Sequence, residues 1–212
     1  GIPGGVLLRT FFDDIGYPVE MYVPHRHNEG YGLHNHAIDD LKKRGVTLMI
    51  TVDLAITNID EVAYAKSVGV DVIVTDHHLP IHKEDDGQVV PDAVAVINSK
   101  QDVCTYHDDM LCGCAVAWKL ACAVLSRLKD EKSNNGKFGE VVKSVGALKE
   151  GYEKWLLDLV GISTISDMVP LVKENRALAY FGLKVLRQTK RHALNQIFRM
   201  QGVSKEHLTE ED

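Results

Sequence analysis

Two stretches decide how this chain reads: Thr47-Leu48-Met49-Ile50-Thr51-Val52-Asp53 and Val70-Asp71-Val72-Ile73-Val74-Thr75-Asp76-His77-His78. Each is a nearly continuous apolar, β-branched run of strand length, the pattern of a strand buried on both faces. Between them Asn58 offers a helix start, Glu61 stands three residues on to complete a capping box, and the helical spacing stops before Gly69. Strand, helix and strand of these lengths form a βαβ unit, which implies parallel strands and a right-handed crossover. Ligands of parallel α/β sheets gather beyond the carboxyl ends of the strands. Asp53, Asp76, His77 and His78 are therefore brought to one edge.

Working outward, Val6 to Ile15 has helical spacing and Gly16 stops it, Val19 to Val23 reads as a short strand, and Asn35 to Arg44 as a helix closed by Gly45. Ala93 to Ile97 is a further strand candidate. From Leu111 the pattern turns helical, with candidates over Ala115 to Leu128, Tyr152 to Val160, Arg176 to Leu186 and Ala193 to Met200, and a polar break at Ser133 to Gly136. The fold class is α/β: a doubly wound parallel sheet over about 1–110, then a mainly helical part over about 111–212, together one domain.

Composition narrows the classes. The chain has 212 residues, 45% hydrophobic and 25% charged, with no apolar run of membrane-spanning length. Gly1-Ile2-Pro3-Gly4-Gly5 is no signal peptide and lacks a start methionine, so the chain reads as a fragment of a cytoplasmic protein. Cys104, Cys112, Cys114 and Cys122 are grouped near His107, but Cys112 and Cys114 are too close for a zinc knuckle. They read as reduced thiols, those from Cys114 onward on a buried helix face. At net charge −6 bulk electrostatics would not draw this chain to nucleic acid. Lys184, Arg187, Lys190, Arg191 and Arg199 form the clearest basic patch, read as a solvated helix face.

Hard carboxylate oxygens beside imidazole suit manganese, and to a lesser degree magnesium or iron. Each residue has a plainer account. A strand-terminal Asp often caps the next turn, whereas adjacent histidines after a buried strand must be hydrogen-bonded, solvated or bound to something.

The order of motifs resembles the RecJ branch of the DHH phosphoesterases. Val74-Thr75-Asp76-His77-His78 resembles the family's naming signature, Glu29-Gly30-Tyr31-Gly32-Leu33 its EGYGL loop, and Ile50-Thr51-Val52-Asp53 its second motif. Ser163 to Leu171, followed by Glu174-Asn175-Arg176, resembles its fourth motif, and Leu111 to Leu120 its glycine-bearing helix start. The resemblance implies Asp53, His77 and Asp167 as metal ligands for Mn2+ (or Mg2+), two ions in the complete protein. It implies Asp76 as a ligand or the orienter of a histidine, and His78 as the group facing the scissile phosphate. Without it, Asp167 is an ordinary loop carboxylate near a proline.

The implied activity is metal-dependent phosphodiester hydrolysis: a single-strand-specific 5′-to-3′ DNA exonuclease of repair and recombination, working on single-stranded DNA beside single-strand-binding or other repair proteins. The alternatives are a DHH phosphoesterase of short RNA or small nucleotides, and a non-catalytic RecJ-like replication scaffold. Retention of Asp53, Asp76, His77, His78 and Asp167 argues against the scaffold. Three departures stand out. The family's first-motif aspartate pair has no counterpart, Asp13 and Asp14 being misplaced within a helix, so the chain is expected to be impaired. Leu54-Ala55 occupies positions where the family commonly has a small or polar residue and Gly. No glycine-rich second domain follows, and the chain reads as a catalytic core cut at both ends.

Overall fold

The described strands are, in chain order, β1 (Leu48–Val52), β2 (Asp71–Thr75), β3 (Ile81–Lys83), β4 (Gly87–Val89) and β5 (Ala95–Ile97). The helices are α1 (Ile2–Asp14), α2 (Asn35–Lys43), α3 (Ile59–Ser67), α4 (Gly113–Asp130), α5 (Gly139–Ala147), α6 (Tyr152–Trp155), α7 (Leu157–Ser166), α8 (Lys173–Leu186) and α9 (His192–Gln201). The structure is a computed structural model that describes residues 1–85, 87–130 and 138–211; the polar break expected at Ser133–Gly136 lies outside them.

β1 and β2 pair in parallel from Leu48↔Asp71 to Val52↔Thr75, and β5 adds in parallel to the far side of β2. Side chains alternate across this sheet. Ile50, Val52 and Ile97 face one core, built with Leu7, Phe11, Ala115, Ala117 and Val160 of α1, α4 and α7. Met49, Val72, Val74 and Val96 face the other, built with Ile38, Val62 and Ala65 of α2 and α3. Helices thus cover both faces, which is why the strands read as unbroken apolar runs. Among the described residues, no helix is long and apolar enough to cross a membrane.

Several local expectations are corrected. Val19 to Val23 is no strand. Pro18 and Pro24 bracket it, no backbone ladder reaches it among the described residues, and strand-forming side chains need a partner edge. The segment is held by side chains instead: Glu20 pairs with Arg44 at 2.7 Å, and Met21 packs where a Cβ on Gly5 would come within 2.8 Å of its methyl carbon. Asn58 takes the N-cap position of α3 without capping it. Its side chain accepts the Leu33 N–H at 3.3 Å and donates to Glu61 at 3.0 Å, tying down the loop before α2. The helix expected from Tyr152 to Val160 breaks into α6 and α7, and α7 runs on to Ser166. The β3–β4 hairpin and α5 were not foreseen.

The basic patch does not hold together. Arg191 turns inward, its Nε donating to the buried Asp158 at 2.9 Å and its guanidinium reaching Thr10 at 3.2 Å. Thr189 donates to the same carboxylate at 2.8 Å, so this network joins α7 and the α8–α9 turn to α1. Arg187 donates twice to the Leu208 carbonyl. Cys112 and Cys114 are buried, and burial pushes both thiols up from their ordinary pKa.

α7 and α8 pack as an antiparallel pair through Gly161 and Gly182, where an added Cβ on either would come within 2.7 Å of the other's Cα. Gly182→Ala should therefore lower unfolding stability by about 1–3 kcal/mol in urea titration, because the helices must separate. Were the crossing loose, the same change would stabilise through helix propensity. Ala55 sits at φ +88°, a left-handed conformation that strains any side chain. Ala55→Gly should raise stability by about 1 kcal/mol; a loss would show that the buried methyl outweighs the strain.

Candidate metal centre

Each functional side chain stands where a parallel strand or a helix ends. The Asp53 N–H donates to the Thr75 carbonyl at 2.8 Å, one step beyond the β1–β2 ladder, and the backbone then turns sharply at φ +65°. The Asp76 N–H donates to the Ile97 carbonyl at 3.1 Å, one step beyond the β2–β5 ladder. Asp167 is the C-cap of α7. Three segments distant in sequence so deliver Asp53, His77 and Asp167 to one point. His77 Nε2 lies 3.0 Å from Asp53 Oδ1 and 3.3 Å from Asp167 Oδ2.

The two aspartates at the strand ends differ in a way that separates their roles. Asp76 is 1% exposed and fully engaged. Its Oδ1 accepts the N–H groups of His77 (2.7 Å) and His78 (3.2 Å) and meets His78 Nδ1 at 2.7 Å; its Oδ2 accepts the Ile56 N–H at 3.0 Å. This carboxylate orients His78 and ties the loop after β1 to the loop after β2. Asp53 Oδ1, by contrast, is buried with no hydrogen-bond partner, since His77 approaches it outside hydrogen-bond alignment. Its Oδ2 accepts from the Gly1 nitrogen at 2.5 Å.

A buried carboxylate oxygen without a donor is costly unless a cation meets it. Burial pushes the Asp53 carboxyl up, and the facing His77 pulls it down. For His77 burial works downward, and Asp53 and Asp167 overcome it to leave the imidazole above its ordinary pKa. α4 closes the site from the other side: a Cβ on Gly113 would sit 2.3 Å from Asp53 Oδ1, so only glycine allows this approach. The approach aims the positive end of α4 at the carboxylate.

Asp53, His77 and His78 each offer a ligand atom within 4.8 Å of the others, and Asp167 reaches the same imidazole nitrogen. Two carboxylates, one with an orphaned oxygen, and two imidazoles make a donor set for a hard or borderline divalent cation. Asp13 and Asp14 are engaged elsewhere, with Arg9 at 3.6 Å and the Tyr152 hydroxyl at 2.6 Å.

One contributor escaped the sequence reading. Asn98, buried just after β5, donates to the His78 carbonyl at 2.9 Å and accepts the Lys100 N–H at 2.8 Å. The strand-end rule that singled out Asp53 and Asp76 reaches Asn98 too, once β5 is counted as the third parallel strand.

Residues 1–143 match the model of the DHH family, N-terminal domain. The chain is 39% identical over 197 residues to the single-stranded-DNA-specific exonuclease RecJ of Bacillus subtilis, covering 93% of this chain and 21% of that protein. It is 37% identical over 172 residues to the RecJ of Escherichia coli, covering 81% of this chain and 27% of that one. A crystal structure of exonuclease RecJ bound to manganese superposes with a TM-score of 0.74 at 27% identity, over 97% of this chain and 46% of that chain. The chain thus spans well under a third of the length of these two bacterial relatives. It belongs to the DHH family, and these bacterial relatives are RecJ exonucleases.

Proposed function

We propose that this chain is the metal-binding core of a RecJ-type, single-strand-specific 5′-to-3′ DNA exonuclease of repair and recombination. Asp53, His77 and Asp167 hold a divalent cation, Mn2+ or Mg2+, and His78, oriented by Asp76, faces the scissile phosphate. One observation carries the reading: two carboxylates converge on His77 Nε2 while the buried Asp53 Oδ1 has no hydrogen-bond partner. The likeness to RecJ exonucleases, one of them solved with manganese bound, supports the choice of metal and of reaction class.

A bound divalent ion supplies Lewis acidity, lowering the pKa of water and neutralising phosphate charge. The protein's own residues do the rest. Asp53 and Asp167 bring negative charge to the place the cation would occupy, and Gly113 lets the α4 terminus close over it. Asp76 holds His78 through Nδ1, which leaves His78 Nε2 to bond a phosphate oxygen or carry a proton. The His78 side chain is 59% exposed, open to a substrate that His77, at 11%, is not.

Calorimetric Mn2+ titration tests the ligand set. Asp53→Asn and His77→Ala should each weaken binding at least about tenfold and remove hydrolysis of single-stranded DNA by the full-length protein. His78→Ala should spare binding and slow hydrolysis by about 10²- to 10⁴-fold. Should His78→Ala remove Mn2+ binding while Asp167→Ala leaves it intact, His78 is the ligand and Asp167 is not.

The pH dependence has a definite sign. Protonated His77 cannot ligate, and its metal-free pKa is raised, so Mn2+ affinity should climb with pH, by about tenfold per unit below that pKa, and level off above it. The His77 contribution to metal-free stability runs the other way. It is complete below the unfolded-state pKa and is lost as pH rises through the raised folded value. Titrations at several pH values check the first, and metal-free melting curves the second.

A further inference from the structure

α8 turns one face to α7 and the other to solvent. The exposed face carries Lys173, Arg176, Tyr180, Phe181 and Lys184, neighbours at helical spacing. Glu174, the helix's one acid, is taken up by Lys119 at 2.6 Å and by the Tyr106 hydroxyl. On a chain of net charge −6 this is a local reversal of sign.

Tyr180 and Phe181 meet edge to face at 5.1 Å, are 56% and 51% exposed, and have the Lys184 ammonium 4.3 Å from the Tyr180 ring centre. Beside Lys184 an open groove of about 350 Å³ runs between α6 and α8, lined by Glu150, Lys154, Trp155 and Gln188 among others. Trp155 is 54% exposed.

The placement relative to the metal centre adds to this. α8 begins six residues after Asp167 and runs back along α7 from there. Its 14 residues, at about 1.5 Å each, carry the stripe roughly 21 Å away from the site. Buried protein–protein contacts are depleted in lysine. Exposed rings interleaved with cations instead suit unpaired bases, which stack on the rings while the cations meet the phosphates.

We propose that the exposed face of α8, from Arg176 through Tyr180, Phe181 and Lys184 to the neighbouring Trp155, is a sequence-tolerant binding track for single-stranded nucleic acid. Its direction, leading the strand toward Asp167, rests on the nuclease reading above; the binding itself does not.

The test is fluorescence anisotropy of a fluorescein-labelled oligothymidylate with this chain in EDTA, so that neither metal nor cleavage contributes. Tyr180→Ala and Trp155→Ala should each weaken binding by about 5- to 100-fold. Arg176→Gln and Lys184→Gln should each flatten the dependence of log K on log salt by about 0.7. Lys43→Gln, on α2 across the sheet, should change neither. Asp53→Asn should still bind the oligonucleotide although its Mn2+ binding is weakened, so failure of the metal-centre reading shows in calorimetry and failure of the track in anisotropy. The proposal is overturned if the unaltered chain does not bind at low salt, or if the α8 variants bind as it does. It is equally overturned if those variants abolish self-association in sedimentation while leaving oligonucleotide binding unchanged, since the face then docks a second copy.

Discussion

The parallel β1–β2 ladder is the constraint on which the rest depends. Its register sets Val52 opposite Thr75, so the next residue of each strand, Asp53 and Asp76, leaves the sheet at the same edge. The Asp53 N–H continues the ladder onto the Thr75 carbonyl, and the Thr75 hydroxyl donates to the Thr51 carbonyl at 2.6 Å, fixing the strand ends. A slip of one residue would send every side chain to the opposite face and invert both cores. The apolar alternation that fills the two cores is therefore also what aims Asp53 and His77 at each other.

With position fixed by the sheet, chemistry is divided by hydrogen bonding. Asp76 and Asp53 occupy equivalent strand-end positions, yet Asp76 is surrounded by donors and Asp53 keeps an oxygen with none. A satisfied buried carboxylate is a structural anchor. An unsatisfied one is an open acceptor that a cation can meet. The same division separates the histidines, since His78 is tethered through Nδ1 to Asp76 while His77 faces two carboxylates.

What was legible in the sequence follows from which interactions are local. The β-branched runs around Ile50 and Ile73 announce buried strands because burial on both faces leaves no polar alternation, and the strand ends then locate Asp53, Asp76, His77 and His78. Asp167 was visible only through family resemblance: it reaches the site because α7 folds against α1 and α4, which no local pattern encodes. Val19 to Val23 misled because its residues suit a strand that has no edge to join. Asn58 misled because a capping residue's short amide serves a neighbouring loop equally well, and Arg191 because a charge in a basic run gives no hint of a buried Asp158 waiting across the fold.

Net charge is a poor guide to ligands for a related reason. An acidic total says little about a polyanion ligand when the acids are spent internally: Glu174 on Lys119, Asp158 on Arg191, Asp76 on backbone and His78. What a phosphate chain meets is the field at the contact, screened beyond about 10 Å at moderate salt. Cations that remain in water, as along α8, act within that distance, while paired acids across the fold do not. The candidate metal centre and the α8 face, as proposed above, follow one rule at two scales: a negatively charged ligand is attracted by the charge that stands at the contact, not by the sum over the chain.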